Sequence, residues 1–303
     1  CTELEVELNN SNYEGSEVIS DEDGKRRGYK LSTLRGITGD TGILEEIKLG
    51  SIKQHDLELS REMILKSKIL KPGDILINDR GFISRELLNE LKGKRGVDTY
   101  IPLKSNMEAY EQAVSIAKEQ NKWQAHPNKK RKEQKIAFVE SLGSYWRSTK
   151  PEEDVEINAC VVHDTKKDEY FVFVTTDLEK TAKQIIKTYE LRPEIEEDYR
   201  QIKDFWKIED FKSTRYNFVA FHVVMVLIGY LYFQLYKSME EGKKYIGKTL
   251  PVAIKKYVEN GPKSVIIYSG QYFAIFGFLE FIQLYASCGT EVKQCLDKIL
   301  SKV

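Results

Sequence analysis

The sequence is poor in the residues that build metal centres and disulfide frameworks. Four of its 303 residues are cysteine and four are histidine. Cys1, Cys160, Cys288 and Cys295 show neither close pairing nor ligand spacing, so free thiols in a reducing cytosol are expected, without a zinc site. Charge of one sign is also missing. Forty-seven basic residues balance forty-seven acidic ones, so contact with nucleic acid would have to come from local patches. Internal repeats and low-complexity linkers are absent. The N-terminus has no initiator Met, basic region or apolar run, so no signal peptide is expected and the chain reads as N-terminally truncated. Phe218–Leu235 is the one long apolar run. It contains His222 and Gln234 and follows a charged helix, so a buried core helix is expected rather than a membrane span.

What is present reads as strands first. Thr2–Leu8 alternates, with Leu4, Val6 and Leu8 opposite Glu3, Glu5 and Glu7, the period of a half-buried strand. Asn9–Lys25 is polar and reads as a loop. Tyr29–Ile37 and Ile43–Leu49 follow as strands around Thr38-Gly39-Asp40-Thr41-Gly42, giving three antiparallel strands. A helix from Asp56 to Leu70, with Asp56 as its cap, stops at Pro72-Gly73. Asp74–Asn78 has the continuous apolar run of a central strand and ends at Asp79-Arg80-Gly81. Ser84 caps the next helix, and Thr99–Leu103 is a fifth strand. Beyond these lie a helix at Met107–Glu119, a basic loop, and strands near Ile136–Ser141, Val155–His163 and Tyr170–Thr176.

The segment Tyr189–Lys203 carries the chemistry. Pro193 is best tolerated in a first helical turn, and Glu194, Glu196, Glu197 and Asp198 suit the positive end of a helix dipole. Leu191, Ile195, Tyr199, Ile202 and Trp206 gather into one apolar stripe, with Glu196 and Lys203 at its edge. By composition alone this is a solvated, ion-paired helix face. The spacing Tyr189, two residues, Arg192, three residues, Glu196, six residues, Lys203 is nevertheless specific. It resembles the signature of the YREK group of bacterial insertion-sequence DDE transposases. Ile208–Ser213 and His222 are similar to that group as well, and Asp79-Arg80-Gly81-Phe82 resembles its second-aspartate motif.

That resemblance implies an α/β, ribonuclease H-like mixed sheet with flanking helices, interrupted by a β-rich insertion. Residues 1–103 would form the first part of the core and 104–188 the insertion. Residues 189–236 would be the catalytic and core helices, and 237–303 a mostly helical C-terminal region. It further implies metal-dependent cleavage at transposon ends and strand transfer. Asp79 and Glu196 would be ligands of two Mg2+ ions, with Mn2+ as a substitute, and hard carboxylate oxygens suit both. Tyr189, Arg192 and Lys203 would contact the terminal inverted repeats, in a homodimer working on paired ends and target DNA in the bacterial cytoplasm at the nucleoid, with no membrane partner.

Lys129, Lys130, Arg131 and Lys132 form a basic cluster suited to a phosphate backbone or to a solvated hairpin tip. The family's first aspartate is the departure. By register it would stand just before Cys1, and Asp21, Asp23 and Asp40 are weak substitutes because they fall in expected loops or turns. Two rivals remain: a truncated or decayed transposase that binds DNA without cutting, and a metal-dependent nuclease on the same fold.

Overall fold

The structure, a computed structural model, describes residues 1–22, 24–38, 41–239, 264–269, 272–291 and 293–294. Compact units cover Cys1–Glu240 and Glu241–Val303.

The first sheet is organised on one long strand. β1 (Thr2–Val6) pairs antiparallel with one edge of β3 (Gly24–Thr38), Thr2 opposite Leu31. The other edge of β3 is shared by β2 (Glu17–Asp21) and β4 (Thr41–Ser51). β2 falls in the stretch read as a loop. Its ladder is held by backbone pairing and by Arg26 against Asp21 at 2.6 Å, with little apolar burial to mark it in the sequence. Gly28 sits where β1 and β3 close up, and a Cβ there would run into the Leu4 carbonyl oxygen. Gly28→Ala is therefore expected to cost about 1–3 kcal/mol of stability by overpacking, read as a lower urea midpoint at unchanged m.

α1 (Asp56–Lys66) packs on β3 and β4. Its cap is His55, whose Nδ1 accepts from the Leu57 amide at 3.3 Å. Asp56, expected as the cap, is instead the first helical residue and pairs with Lys30 at 2.9 Å. Arg95 donates to the carbonyls of Ile64, Leu65, Ser67 and Leu70 at 2.6–2.8 Å, closing the far end of α1 and setting where the next strand begins.

A six-stranded sheet follows in the order β5, β6, β10, β9, β8, β7. β5 (Ile75–Ile77) runs parallel to β6 (Asp98–Pro102), and α2 (Arg85–Arg95) crosses between them from a Ser84 cap. β6 pairs with β10 (Glu169–Thr175), which pairs with β9 (Asn158–Asp164), then β8 (Gln134–Val139) and the short β7 (Gln124–Ala125). β9 is buried on both faces. Ala159 and Val161 join the core under α2 and α3 (Glu108–Gln120), while Cys160 and Val162 join the one under α4 (Ala182–Tyr189).

The expected strands are thus present, but in two sheets rather than one. No ladder among the described residues joins β1–β4 to β5–β10.

α5 (Pro193–Asp204) and α6 (Tyr216–Ser238) cover the first sheet on the side away from α1. α6 is only partly the buried helix expected. Val219, Val223, Leu227 and Tyr230 pack inward, whereas Phe218, Phe221, Met225 and Tyr232 are exposed. By length and composition it is apolar enough to cross a membrane. Of the C-terminal segments, β11 (Ser264–Ser269) and β12 (Tyr272–Gly277) form a hairpin followed by α7 (Phe278–Ser287). Strands were not foreseen in a region expected to be mostly helical. Cys295 lies outside the described residues.

Candidate active site

Asp79 stands at the carboxyl end of β5, where the chain leaves the sheet. The Asn78 amide donates to the Tyr100 carbonyl at 2.9 Å, and buried Phe82 anchors the single turn of 3-10 helix that follows. Asp79 Oδ1 accepts from the Gly81 amide at 2.8 Å, the cap of that turn, and Oδ2 is left to face α5. There it meets the Arg192 guanidinium at 3.0 Å, although the two residues are 113 apart in sequence.

Arg192 owes its position to the chain around it. α4 starts from a Thr181–Gln184 capping box, and its last residues turn without interruption into the Arg192 amide, which bonds the Tyr189 carbonyl at 3.0 Å. Pro193 then opens α5, as its fixed φ favours. The second Arg192 nitrogen pairs with Glu196, one turn on. One guanidinium therefore bridges the two carboxylates. Burial opposes the charge on Arg192, but Glu196 and Asp79 more than offset it and raise its pKa. Tyr189 lies beside them with its ring against Phe173 at 4.6 Å. Burial is the main reason its phenol pKa is raised, which keeps it a neutral hydroxyl.

α5 is fixed in rotation by its opposite face. Asp198 accepts from Arg35 Nε at 2.5 Å, from the Tyr230 hydroxyl at 2.6 Å and from Gln234 at 3.3 Å, while Thr33 and Tyr199 share a hydroxyl hydrogen bond of 2.7 Å. Burial pushes the Tyr199 phenol up to about 12. The sequence reading missed Asp198 and Arg35. A carboxylate two residues from Glu196, near half a turn away on a helix, was the available signal.

Asp79, Tyr189, Arg192 and Glu196 come together. Lys203 does not join them. It lies two turns along α5, roughly 10 Å away by helical rise, and pairs with Glu209 at 3.0 Å. The basic cluster sits in the loop between β7 and β8. Arg131 is tethered to Glu190, next to Tyr189, at 3.1 Å, and Lys129, Lys130 and Lys132 are exposed. Asp21 is occupied by Arg26, and Asp23 and Asp40 lie outside the described residues. His126 is buried and its pKa is lowered by that burial.

The donor set suits a hard divalent cation in part. Two carboxylates converge on one positive centre, here the guanidinium, but no group of three Asp, Glu, His or Cys side chains able to hold a metal occurs among the described residues. Beside the pair opens a cavity of about 720 Å3 between β3, β5 and α5.

A family model described as the transposase DDE domain matches residues 9–232, a span that contains Asp79 and the whole of α5. No curated protein and no solved structure matches the chain.

Proposed function

Because the chain belongs to the transposase DDE domain family, we propose that it is the catalytic core of a DNA transposase of the YREK group, cutting at transposon ends and joining them to target DNA. The observation that carries this reading is the Arg192 clasp, which draws Asp79 and Glu196 to a single positive centre across a wide gap in sequence. Asp79 and Glu196 would hold the divalent ions, Mg2+ with Mn2+ as a substitute. Bound there, the ions would activate water or a 3' hydroxyl and stabilise the leaving oxygen. Asp79 offers Oδ2 while Oδ1 keeps its turn in place, and α5 presents Glu196 from a rotation fixed by Asp198. Once the carboxylates are engaged elsewhere, Arg192 is free to fork onto a phosphate, with Tyr189 beside it as donor or stacking partner.

A third ligand would stand immediately before Cys1. The alternation of β1 supports that position. Leu4 faces α5 and α6, Cys1 faces Ser60 of α1, and the preceding residue would again face α5, opposite Thr33. On this reading residues 104–188 are an insertion in a ribonuclease H-like core, and the working form is a dimer on paired ends at the nucleoid.

Lys203, held by Glu209, and the exposed Lys129, Lys130 and Lys132, with Arg131, would track the DNA backbone. Replacing Lys129, Lys130 and Lys132 by Ala is expected to lower the slope of log affinity against log salt by about 2.7, near 0.9 for each phosphate contact, as measured by titration of a labelled duplex.

The rival is a chain that binds DNA without cutting it, and the two-carboxylate donor set favours that one. The deciding experiment is Mg2+-dependent nicking of a labelled duplex bearing the element's end, by the protein extended upstream of Cys1. Nicking by the extended protein supports the transposase. Binding without nicking establishes the rival.

A further inference from the structure

α6 carries two apolar faces, and the first sheet uses one of them. Val219, Val223, Leu227 and Tyr230 pack inward with Leu4, Tyr29 and Leu31. On the opposite side, roughly half a turn away at about 100° per residue, Phe218, Phe221, Met225, Ile228 and Tyr232 stand in water. Their spacing is three, four, three, four, and in sequence it runs on through Leu235 to Met239. That is the period of a seam between two supercoiled helices, slightly tighter than the turn of a straight helix lying on a sheet.

The chemistry of the seam narrows its occupant. From Tyr216 to Tyr236 the sequence holds no Asp, Glu, Lys or Arg, so nothing along the helix attracts a phosphate backbone. A helix lying in a lipid interface flanks its apolar face with Lys and Arg, and α6 has none there. Crossing a bilayer would strip Val219, Val223, Leu227 and Tyr230 from the core that holds the first sheet. What fits is another apolar helix of the same spacing. The area agrees. Taking about 200 Å2 for an aromatic side chain, Phe218, Phe221 and Tyr232, which are 58–70 % exposed, leave roughly 400 Å2 in water. With Val224, Met225, Ile228 and Met239 the seam offers roughly 700 Å2, more than a soluble monomer ordinarily leaves bare and near the roughly 800 Å2 that each partner brings to a stable interface.

We propose that α6 pairs with α6 of a second copy of this chain, antiparallel along this seam, in the absence of DNA. Such an interface is isologous, so the spacing of one helix meets the same spacing in the other. The antiparallel sense follows from the helix ends. It sets exposed Arg215, at the amino end of one helix, beside the carbonyl-rich end of the other, whereas parallel helices would bring two Arg215 side chains together and align their dipoles. Met225 then meets Met225 of the second copy at the centre, and Phe218 lies against its Tyr232, two aromatic rings in contact.

The first test is sedimentation equilibrium of the 303-residue protein, free of DNA, at micromolar concentration. Twice the chain mass is expected. Phe221→Glu combined with Met225→Glu should weaken association at least about a hundredfold, the loss expected when two central anchors of an interface are removed. Circular dichroism should not change, because both side chains already face water. Should that variant not fold, a bifunctional thiol reagent reads the pairing from separate Phe218→Cys and Tyr232→Cys proteins. Cross-links between the two in a mixture, beyond those of the unsubstituted protein, support it. A monomer overturns the proposal, whether it stays free or cosediments with vesicles of phosphatidylcholine and phosphatidylserine, which would give the face to lipid. So does a dimer that survives the double substitution, or a Phe218→Cys protein that cross-links only to itself. Neither DNA nor metal enters these measurements, so their outcome is separate from that of the transposase reading.

Discussion

Glu196→Gln and Asp79→Asn, each made in the protein extended upstream of Cys1, are expected to lower the Mg2+-dependent nicking rate by at least about a thousandfold, close to 4 kcal/mol of transition-state stabilisation. Each substitution keeps the shape of the side chain and removes the charge that would hold the ion. The two should not behave alike in the absence of metal. In Asp79→Asn the side-chain oxygen can still accept from the Gly81 amide, so the turn after β5 survives and stability changes little. In Glu196→Gln the exposed partner of Arg192 is neutralised, which costs no more than an ordinary surface ion pair. Loss of nicking with unchanged thermal midpoints and retained DNA binding is thus the signature of a ligand role. If either variant nicks at the wild-type rate, the assignment of that carboxylate is wrong.

The second large effect is one of stability and orientation. Asp198 is only 5 % exposed and accepts from Arg35, Tyr230 and Gln234. Truncating it leaves Tyr230 and Gln234 without their acceptor and the buried Arg35 guanidinium with only the exposed Glu194 as partner, and Asp198→Ala is expected to cost about 3 kcal/mol. Tyr230→Phe removes one hydrogen bond and should cost about 1–2 kcal/mol. Urea unfolding of both variants checks the order. Glu194 also reaches Arg35, at 2.8 Å, so a double substitution with Glu194→Ala should exceed the sum of the singles, the two carboxylates sharing one cation. A cost for Asp198→Ala no larger than that of Tyr230→Phe would show that the buried charge does not hold α5.

Much of this architecture could be read from residue patterns because local rules and tertiary packing agree there. Pro193 marks the start of α5, Ser84 caps α2, and the apolar run before Asp79 becomes β5. The site was legible where a short, spaced motif falls on one helix. Three things were not. β2 is held by its ladder and an arginine rather than by apolar alternation, so no periodicity announces it. The Arg35–Asp198 pair joins residues 163 apart, and no local rule links positions so distant. His55 rather than Asp56 caps α1 because Lys30, brought in by β3, claims the aspartate. Lys203 shows the converse: its spacing fits the motif, yet Glu209 rather than Arg192's cluster is its partner.

Arg192 sits at the junction of two helices, with its backbone already in helical geometry and Pro193 locking the next residue. Only its side chain can move away from Asp79 and Glu196. Rotamer changes of that kind take picoseconds to nanoseconds near a surface, far faster than loop or domain rearrangement. On the proposed reading, a divalent ion held by Asp79 and Glu196 would replace the guanidinium without any opening of the fold, and the pace of loading would be set by the ion's own reluctance to lose water rather than by the protein.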